Sequence, residues 1–191
     1  MYTFFPKPNN MWENWVYFEN LFSSEECKKI VEFGHEHEPM NAEVGAERKE
    51  NNEIRTSVLR WIPWSETSDW IYQRLSDTVN GCNNARYQFN LNGFLEDIQF
   101  TQYQPGGHYR WHMDFGHGDF AKRKLSIVAQ LSDPEEYEGG NLQFFDGSES
   151  TAPRDLGSVI IFPSFMQHRV LPVTEGTRFS LVLWSSGPPF K

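Results

Sequence analysis

The 191-residue sequence predicts a mainly β chain, an antiparallel sandwich or jelly roll with N-terminal helices packed on one sheet. Three observations predict it. From Leu95 onward apolar residues recur with period two, the spacing of a strand with one buried face. Turn formers punctuate that region at Pro105-Gly106-Gly107, Asp133-Pro134, Gly139-Gly140, Asp146-Gly147, Pro153 and Glu175-Gly176. Helical periodicity is confined to the N-terminal part.

The first helix is announced by Ser23-Ser24-Glu25-Glu26, a capping box in which Ser23 caps and Glu26 reaches back. Cys27, Ile30, Val31 and Gly34 then share one stripe, and the helix should run to about His37. A second helix is expected from Thr67 or Ser68, with Trp70, Ile71, Leu75 and Val79 at helical spacing and Gly81 as its stop. Between the helices, Asn41 to Glu53 is polar and reads as an exposed loop, a candidate mobile lid; Ile54 to Trp61 reads as a strand. In the period-two region, Gln99, Thr101 and Tyr103 oppose Ile98, Phe100 and Gln102. Leu125, Ile127, Ala129 and Leu131 share one face, and Leu142 and Phe144 another. Ser158 to Phe162 is a short buried strand. Along Thr177 to Trp184, Phe179, Leu181 and Leu183 oppose Arg178, Ser180, Val182 and Trp184.

Residues 1–191 are expected to form one domain, with 1–94 a supporting region and 95–187 the core. Seventeen basic against 26 acidic residues give a formal charge of −9, which disfavours nucleic acid and anionic membranes as partners. No apolar run approaches the roughly 20 residues of a membrane span. Met1 to Asn10 has no basic region followed by an apolar stretch. Cys27 and Cys82 read as free thiols, so a reducing, cytoplasmic compartment is expected. The aromatic content of 16% fits either a β-rich core or an aromatic-lined cleft.

His112-Met113-Asp114 is the first candidate site. On an extended segment, residues two apart project to the same side, so an imidazole and a carboxylate can reach one metal ion. A solvated turn explains the same triplet, and Gly116, His117 and Gly118 support that alternative. His168, beyond the buried strand Val159 to Phe162 and opening a second one over Arg169 to Val173, is either a ligand or a half-buried histidine bonded to a carbonyl. Together, His112, Asp114 and His168 compose the two-imidazole, one-carboxylate set of non-haem iron oxygenases, which leaves three octahedral positions open. Zinc more often takes four tetrahedral ligands. Arg178 lies on the polar face of the last long strand, ten residues beyond His168. A hairpin at Glu175-Gly176 would carry it away from that histidine into the interior. A buried guanidinium needs an anion, and a dicarboxylate bound to the metal at one end supplies it at the other. Ser180, on the same face, adds a hydroxyl.

With these residues in place, Phe100 to Ser186 resembles the catalytic core of the Fe(II)/2-oxoglutarate-dependent dioxygenases, and within them the prolyl 4-hydroxylase-like branch. The carriers of the resemblance are Tyr103-Gln104-Pro105-Gly106-Gly107-His108-Tyr109, Trp111 to Asp114, Gly139 to Phe144, Gly157 to Pro163, His168-Arg169-Val170, Gly176-Thr177-Arg178 and Trp184, with Arg55-Thr56-Ser57 upstream. It implies a double-stranded β-helix, with Fe(II) held by His112, Asp114 and His168. It also implies 2-oxoglutarate anchored by Arg178 with Tyr103 as a further donor, O₂ as oxidant and ascorbate as reductant. Arg178 is a departure from several animal and plant members, which use Lys there; this leaves cosubstrate binding intact and loosens any transfer of substrate preference. His108 and His117 match no ligand position. Arg55, Trp61 and Trp184 are the candidate substrate contacts. The expected reaction is hydroxylation of an unactivated C–H bond, on a peptidyl proline or related residue. A free amino acid or other small molecule is the alternative substrate, and a non-catalytic jelly-roll binding module the alternative function. The oligomeric state is left open.

Overall fold

The computed structural model describes residues 13–44 and 49–190. Its two main sheets are antiparallel and face each other, and two further strand pairs lie outside them. The larger contains, in spatial order, Val16–Phe18, Val159–Pro163, Arg123–Gln130, Arg178–Ser186, Ile98–Tyr103, Val58–Ile62 and Met40–Asn41, with Gly93–Phe94 added beside Arg178–Ser186. The smaller contains Glu149–Thr151, Leu142–Phe145, Gln167–Val170, His108–His112 and Arg55–Thr56. This is the expected jelly roll.

Two helices cover the outer face of the larger sheet. Helix α1 spans Ser24–His35 and carries the full capping box: the Glu26 N–H donates to Ser23 Oγ and the Ser23 N–H to the Glu26 carboxylate. Helix α2 spans Asp69–Cys82. Their stripes (Cys27 and Ile30; Ile71, Leu75 and Val79) pack on Ile98, Phe100, Leu125, Ile127, Leu181 and Leu183, all buried. Gly34 permits this approach, because a Cβ there would meet the Phe100 ring at 2.7 Å. The opposite faces of the same strands contribute Tyr103 and Val128 to a second core. There they meet Leu142, Phe144 and Val170 of the smaller sheet, with Ile160 and Phe162. Period two along Ile98–Tyr103 and Arg123–Gln130 therefore sorts side chains between a helix-facing core and the space between the sheets.

Several expectations are corrected. Gly81 does not end the helical run: α2 closes one residue later at Cys82, and Asn83 keeps the right-handed conformation. The chain continues through a π-helical turn, Asn83–Tyr87, and stops where Gln88 turns left-handed at φ 55°. The strand expected over Ile54 to Trp61 divides at Ser57: Arg55–Thr56 joins the smaller sheet and Val58–Ile62 the larger. The exposed loop expected over Asn41 to Glu53 contains pairing backbone, with Met40–Asn41 against Leu59–Val58 and Glu43–Val44 against Glu50–Lys49. Its centre, residues 45–48, lies outside the described residues, as does the first stretch, 1–12. Glu175-Gly176 makes no hairpin: Val173–Gly176 pairs with Tyr137–Gly139, while Arg178–Ser186 crosses to the larger sheet. His168 lies inside Gln167–Val170 rather than ahead of a strand. No described helix is long and apolar enough to cross a membrane.

Candidate active site

His112 and His168 are direct partners in the register of His108–His112 with Gln167–Val170, which brings their ring centroids to 4.1 Å. Asp114 follows the first strand, where the N–H groups of Asp114 and Phe115 both donate to the Ser164 carbonyl at 2.9 Å. That clamp turns the carboxylate back towards the two rings. Asp114 Oδ1 lies 3.6 Å from His112 Nε2 and Oδ2 lies 3.6 Å from His168 Nε2, and one ligand atom from each residue falls within 4.8 Å of the others. His112 Nδ1 is 2.8 Å from the Arg110 carbonyl and His168 Nδ1 is 2.9 Å from that of Met166. A carbonyl only accepts, so each Nδ1 carries the proton and each Nε2 presents its lone pair inward.

The electrostatics suit a cation. Burial first, and then the neighbouring His168, lower the His112 pKa and favour the neutral imidazole. Burial alone would raise the Asp114 carboxyl. His168, His112, Arg123 and the Ser126 hydroxyl outweigh it and hold the group below the usual carboxylate range. A neutral imidazole and an ionised carboxylate are the forms that bind metal. Two inward nitrogens and one oxygen, with an open cavity on their far side, match the donor set for non-haem iron.

The triad opens into a cavity of about 670 Å³ between the sheets. At its other end sits Arg178, 1% exposed, opposite Tyr103 in the strand register. Its Nη2 donates to Gln130 Oε1 at 2.8 Å, its guanidinium lies 5.4 Å from the Tyr103 ring centroid, and its Nε has no partner. Gly140 makes room for this side chain: with φ at +63°, a Cβ would meet Arg178 Cδ at 3.0 Å and Val173 Cγ2 at 2.9 Å. Ser180, also buried, lines the same wall. Trp61 and Trp184 line the cavity with ring centroids 6.4 Å apart, and the Trp184 indole N–H is buried without a partner. Arg55 lies over Tyr109, which stacks on His112. The structure thus gathers every residue singled out in the sequence around one cavity. His108 instead faces the carbonyls of Gly106 and Glu53, and His117 lines the cavity outside the triad.

Sequence reasoning missed Ser126, Gln130, Tyr109, Arg123 and Glu96. The Ser126 hydroxyl bonds Asp114, Gln130 bonds Arg178, and Arg123 pairs with Glu96 while lying 3.7 Å above the Trp184 ring. A signal for two of them was present: Ser126 and Gln130 share one face of a strand whose residues between and beside them, Leu125 and Ile127 to Ala129, are apolar.

Fold and site define the class. Residues 98–186 match the sequence model of the 2OG-Fe(II) oxygenase superfamily. Within that superfamily the likeness is to the prolyl 4-hydroxylase-like branch. A PKHD-type hydroxylase of Gloeothece citriformis is 37% identical over 123 residues, covering 61% of this chain and 56% of that protein. The chain spans about half the length of the curated relatives it matches. A Pseudomonas putida prolyl-4-hydroxylase superposes with TM-score 0.75 at 23% identity, over 92% of this chain and 93% of the other. A prolyl hydroxylase solved in complex with a hypoxia inducible factor oxygen degradation domain peptide fragment, from Trichoplax adhaerens, gives TM-score 0.76 at 17% identity, over 91% and 83%. These two likenesses establish the shared fold.

Proposed function

We propose that this chain is an Fe(II)- and 2-oxoglutarate-dependent dioxygenase that hydroxylates an unactivated C–H bond, acting like a prolyl 4-hydroxylase on a peptidyl proline or related residue. The observation that carries this reading is one cavity with a metal-binding triad at one end and a buried, anion-seeking arginine at the other. His112, Asp114 and His168 would hold the iron. Arg178, with Tyr103 and Ser180, would take the distal carboxylate of 2-oxoglutarate. When bound, iron and 2-oxoglutarate supply O₂ activation coupled to decarboxylation, giving succinate and CO₂.

The protein's share is orientation and exclusion of water. Arg178 offers a planar fork to a carboxylate, and Gln130 sets its direction. Trp61, Trp184 and Arg55 would contact the substrate, the tryptophans supplying an apolar wall beside the metal. Residues 95–187 would form the catalytic core and 1–94 its support. A peptide-type substrate is supported by the peptide complex of the Trichoplax adhaerens enzyme and by the hydroxylase relatives. Ascorbate is the expected reductant. Two buried free thiols support a reducing, cytoplasmic location.

The test is succinate formation by purified protein with Fe(II), ascorbate and 2-oxoglutarate, alongside oxygen mass gain on proline-rich peptides, free proline and alkylated oligonucleotides. Succinate that disappears in His112→Ala supports the reading, and mass gain on a prolyl peptide supports the substrate. Absence of both succinate and iron binding leaves a jelly-roll binding module instead.

A further inference from the structure

Arg55 occupies an unusual position in the cavity. It is 6% exposed and lines the wall next to the metal-binding end. Its Nε donates to Ser57 Oγ at 3.0 Å, and its guanidinium lies 4.5 Å from the centroid of Tyr109, whose ring stacks on His112. Among the described residues no carboxylate pairs with it. The contrast with Arg123 is direct, since that guanidinium donates from both Nε and Nη2 to the Glu96 carboxylate. Asp114 is committed to the triad, and Asp97, the remaining acid on the cavity wall, is exposed.

A guanidinium cannot relieve burial by losing its proton. While the cavity holds water, the outer edge of Arg55 is solvated. Once substrate displaces that water, the cation needs an anion, and a neutral carbonyl replaces the hydrogen bond but not the charge. Arg178 has the same need at the opposite end, where the distal carboxylate of 2-oxoglutarate meets it. A divalent cation with Asp114, and dianionic 2-oxoglutarate with Arg178, together leave no net charge. Among the described residues of the cavity wall, Arg55 is then the cation without a compensating charge.

We propose that Arg55 is a second carboxylate anchor and that the substrate carries a carboxylate close to the carbon that is hydroxylated. This rests on reading the chain as a 2-oxoglutarate oxygenase and narrows the substrate class within it. The carboxylate has two sources: the α-carboxylate of a free or C-terminal residue, or an acidic side chain next to the reacting one. Tyr109 lies beneath the guanidinium and Ser57 takes its Nε–H, which leaves the terminal N–H groups for the ligand.

The experiment measures binding to the Mn(II)- and 2-oxoglutarate-loaded protein by calorimetry, using two matched pairs. N-acetyl-L-proline is compared with N-acetyl-L-prolinamide, and a capped Asp-Pro-Gly peptide with its Asn-Pro-Gly counterpart. At least one acid should bind roughly tenfold more tightly than its neutral partner, as for one charge-assisted contact. Preference in the first pair assigns an α-carboxylate, and preference in the second an acidic side chain. Arg55→Gln should erase the preference and Arg55→Lys should keep part of it. Equal binding within both pairs, no binding by any probe, or a preference surviving Arg55→Gln overturns the inference. So does a loss of 2-oxoglutarate affinity in Arg55→Gln as large as the loss for the acid, which would make Arg55 a cosubstrate residue. A wild-type protein that binds neither Mn(II) nor 2-oxoglutarate overturns the underlying reading itself, a result distinguishable from all of these.

Discussion

The Ser126 hydroxyl donates to Asp114 Oδ2 at 2.6 Å and sits 3.1 Å from the Ser164 hydroxyl. Ser164 also accepts the Asp114 N–H on its carbonyl, so one short segment and one strand hold both the backbone and the carboxylate of that residue. Groups behind a metal ligand typically contribute tenfold to a hundredfold in metal affinity. Ser126→Ala removes only an oxygen from a fully buried site and should weaken Mn(II) binding roughly tenfold while leaving the fold intact. Calorimetric titration of Mn(II) checks this, with the melting curve as control. An unchanged dissociation constant would show that the backbone clamp alone orients Asp114.

Gln130 presents a neutral oxygen to Arg178 at 2.8 Å. Gln130→Glu places a carboxylate at the same distance and satisfies the guanidinium internally. It should cut 2-oxoglutarate affinity by roughly a hundredfold, on the scale of losing a buried charge partner. Metal affinity should hold, because the triad uses the opposite end of the cavity. Binding titrations of 2-oxoglutarate and Mn(II) on the same preparation separate the two effects, and equal losses in both would contradict the prediction.

Two glycines should respond to alanine with opposite signs. At Gly157, φ is +75° and a Cβ would lie 1.8 Å from the Phe22 carbonyl, at the hydrogen bond that ties the start of α1 to the larger sheet. Gly157→Ala should cost on the order of 3 kcal/mol. At Gly81 the helix is regular and the space is open. Gly81→Ala should stabilise by about 0.5–1 kcal/mol. Urea unfolding reads both changes.

Burial pushes the thiols of Cys27 and Cys82 up to about 11. At pH 8 both should stay protonated and resist an aromatic disulfide reagent, then react fully on unfolding. The linked stability is present below pH 9, the ordinary thiol value, and is lost as the pH rises towards 11, because the unfolded chain releases those protons first. Cys82→Ala should flatten this alkaline loss in melting curves taken from pH 8 to 11. A thiol that reacts rapidly in the native protein at pH 8 would contradict the burial.

Much of the fold was legible because local chemistry and tertiary demand agree. The capping box at Ser23 acts within one turn, and the alternation along Ile98–Tyr103 follows from the strand's geometry. The helix stop failed for the complementary reason. Gly81 can end a helix, but whether it does depends on what surrounds it. The helical run, α2 and the π-turn after it, ended instead at Gln88, beyond the buried Asn83, whose side chain bonds both the N–H and the carbonyl of Phe89. The strand over Ile54 to Trp61 was read as one because hydrophobic periodicity carries no mark of which sheet receives each half. The polarity of Asn41 to Glu53 likewise hid its pairing, since edge strands need few apolar residues.

For the site, the sequence by itself determined the chemistry available: two imidazoles, one carboxylate and an arginine on the polar face of a strand, at spacings that resemble a known oxygenase core. Only the tertiary structure decided that they share one cavity, because the contacts are long-range. His112 meets His168 across a strand pair, and Arg178 reaches the interior by passing from a separate strand pair, Val173–Gly176 with Tyr137–Gly139, into the larger sheet rather than through a hairpin. Charge compensation was likewise invisible in sequence. Arg55 and Arg123 look alike as residues, yet Glu96 neutralises one and leaves the other facing the cavity, since pairing depends on which carboxylates the fold brings within reach.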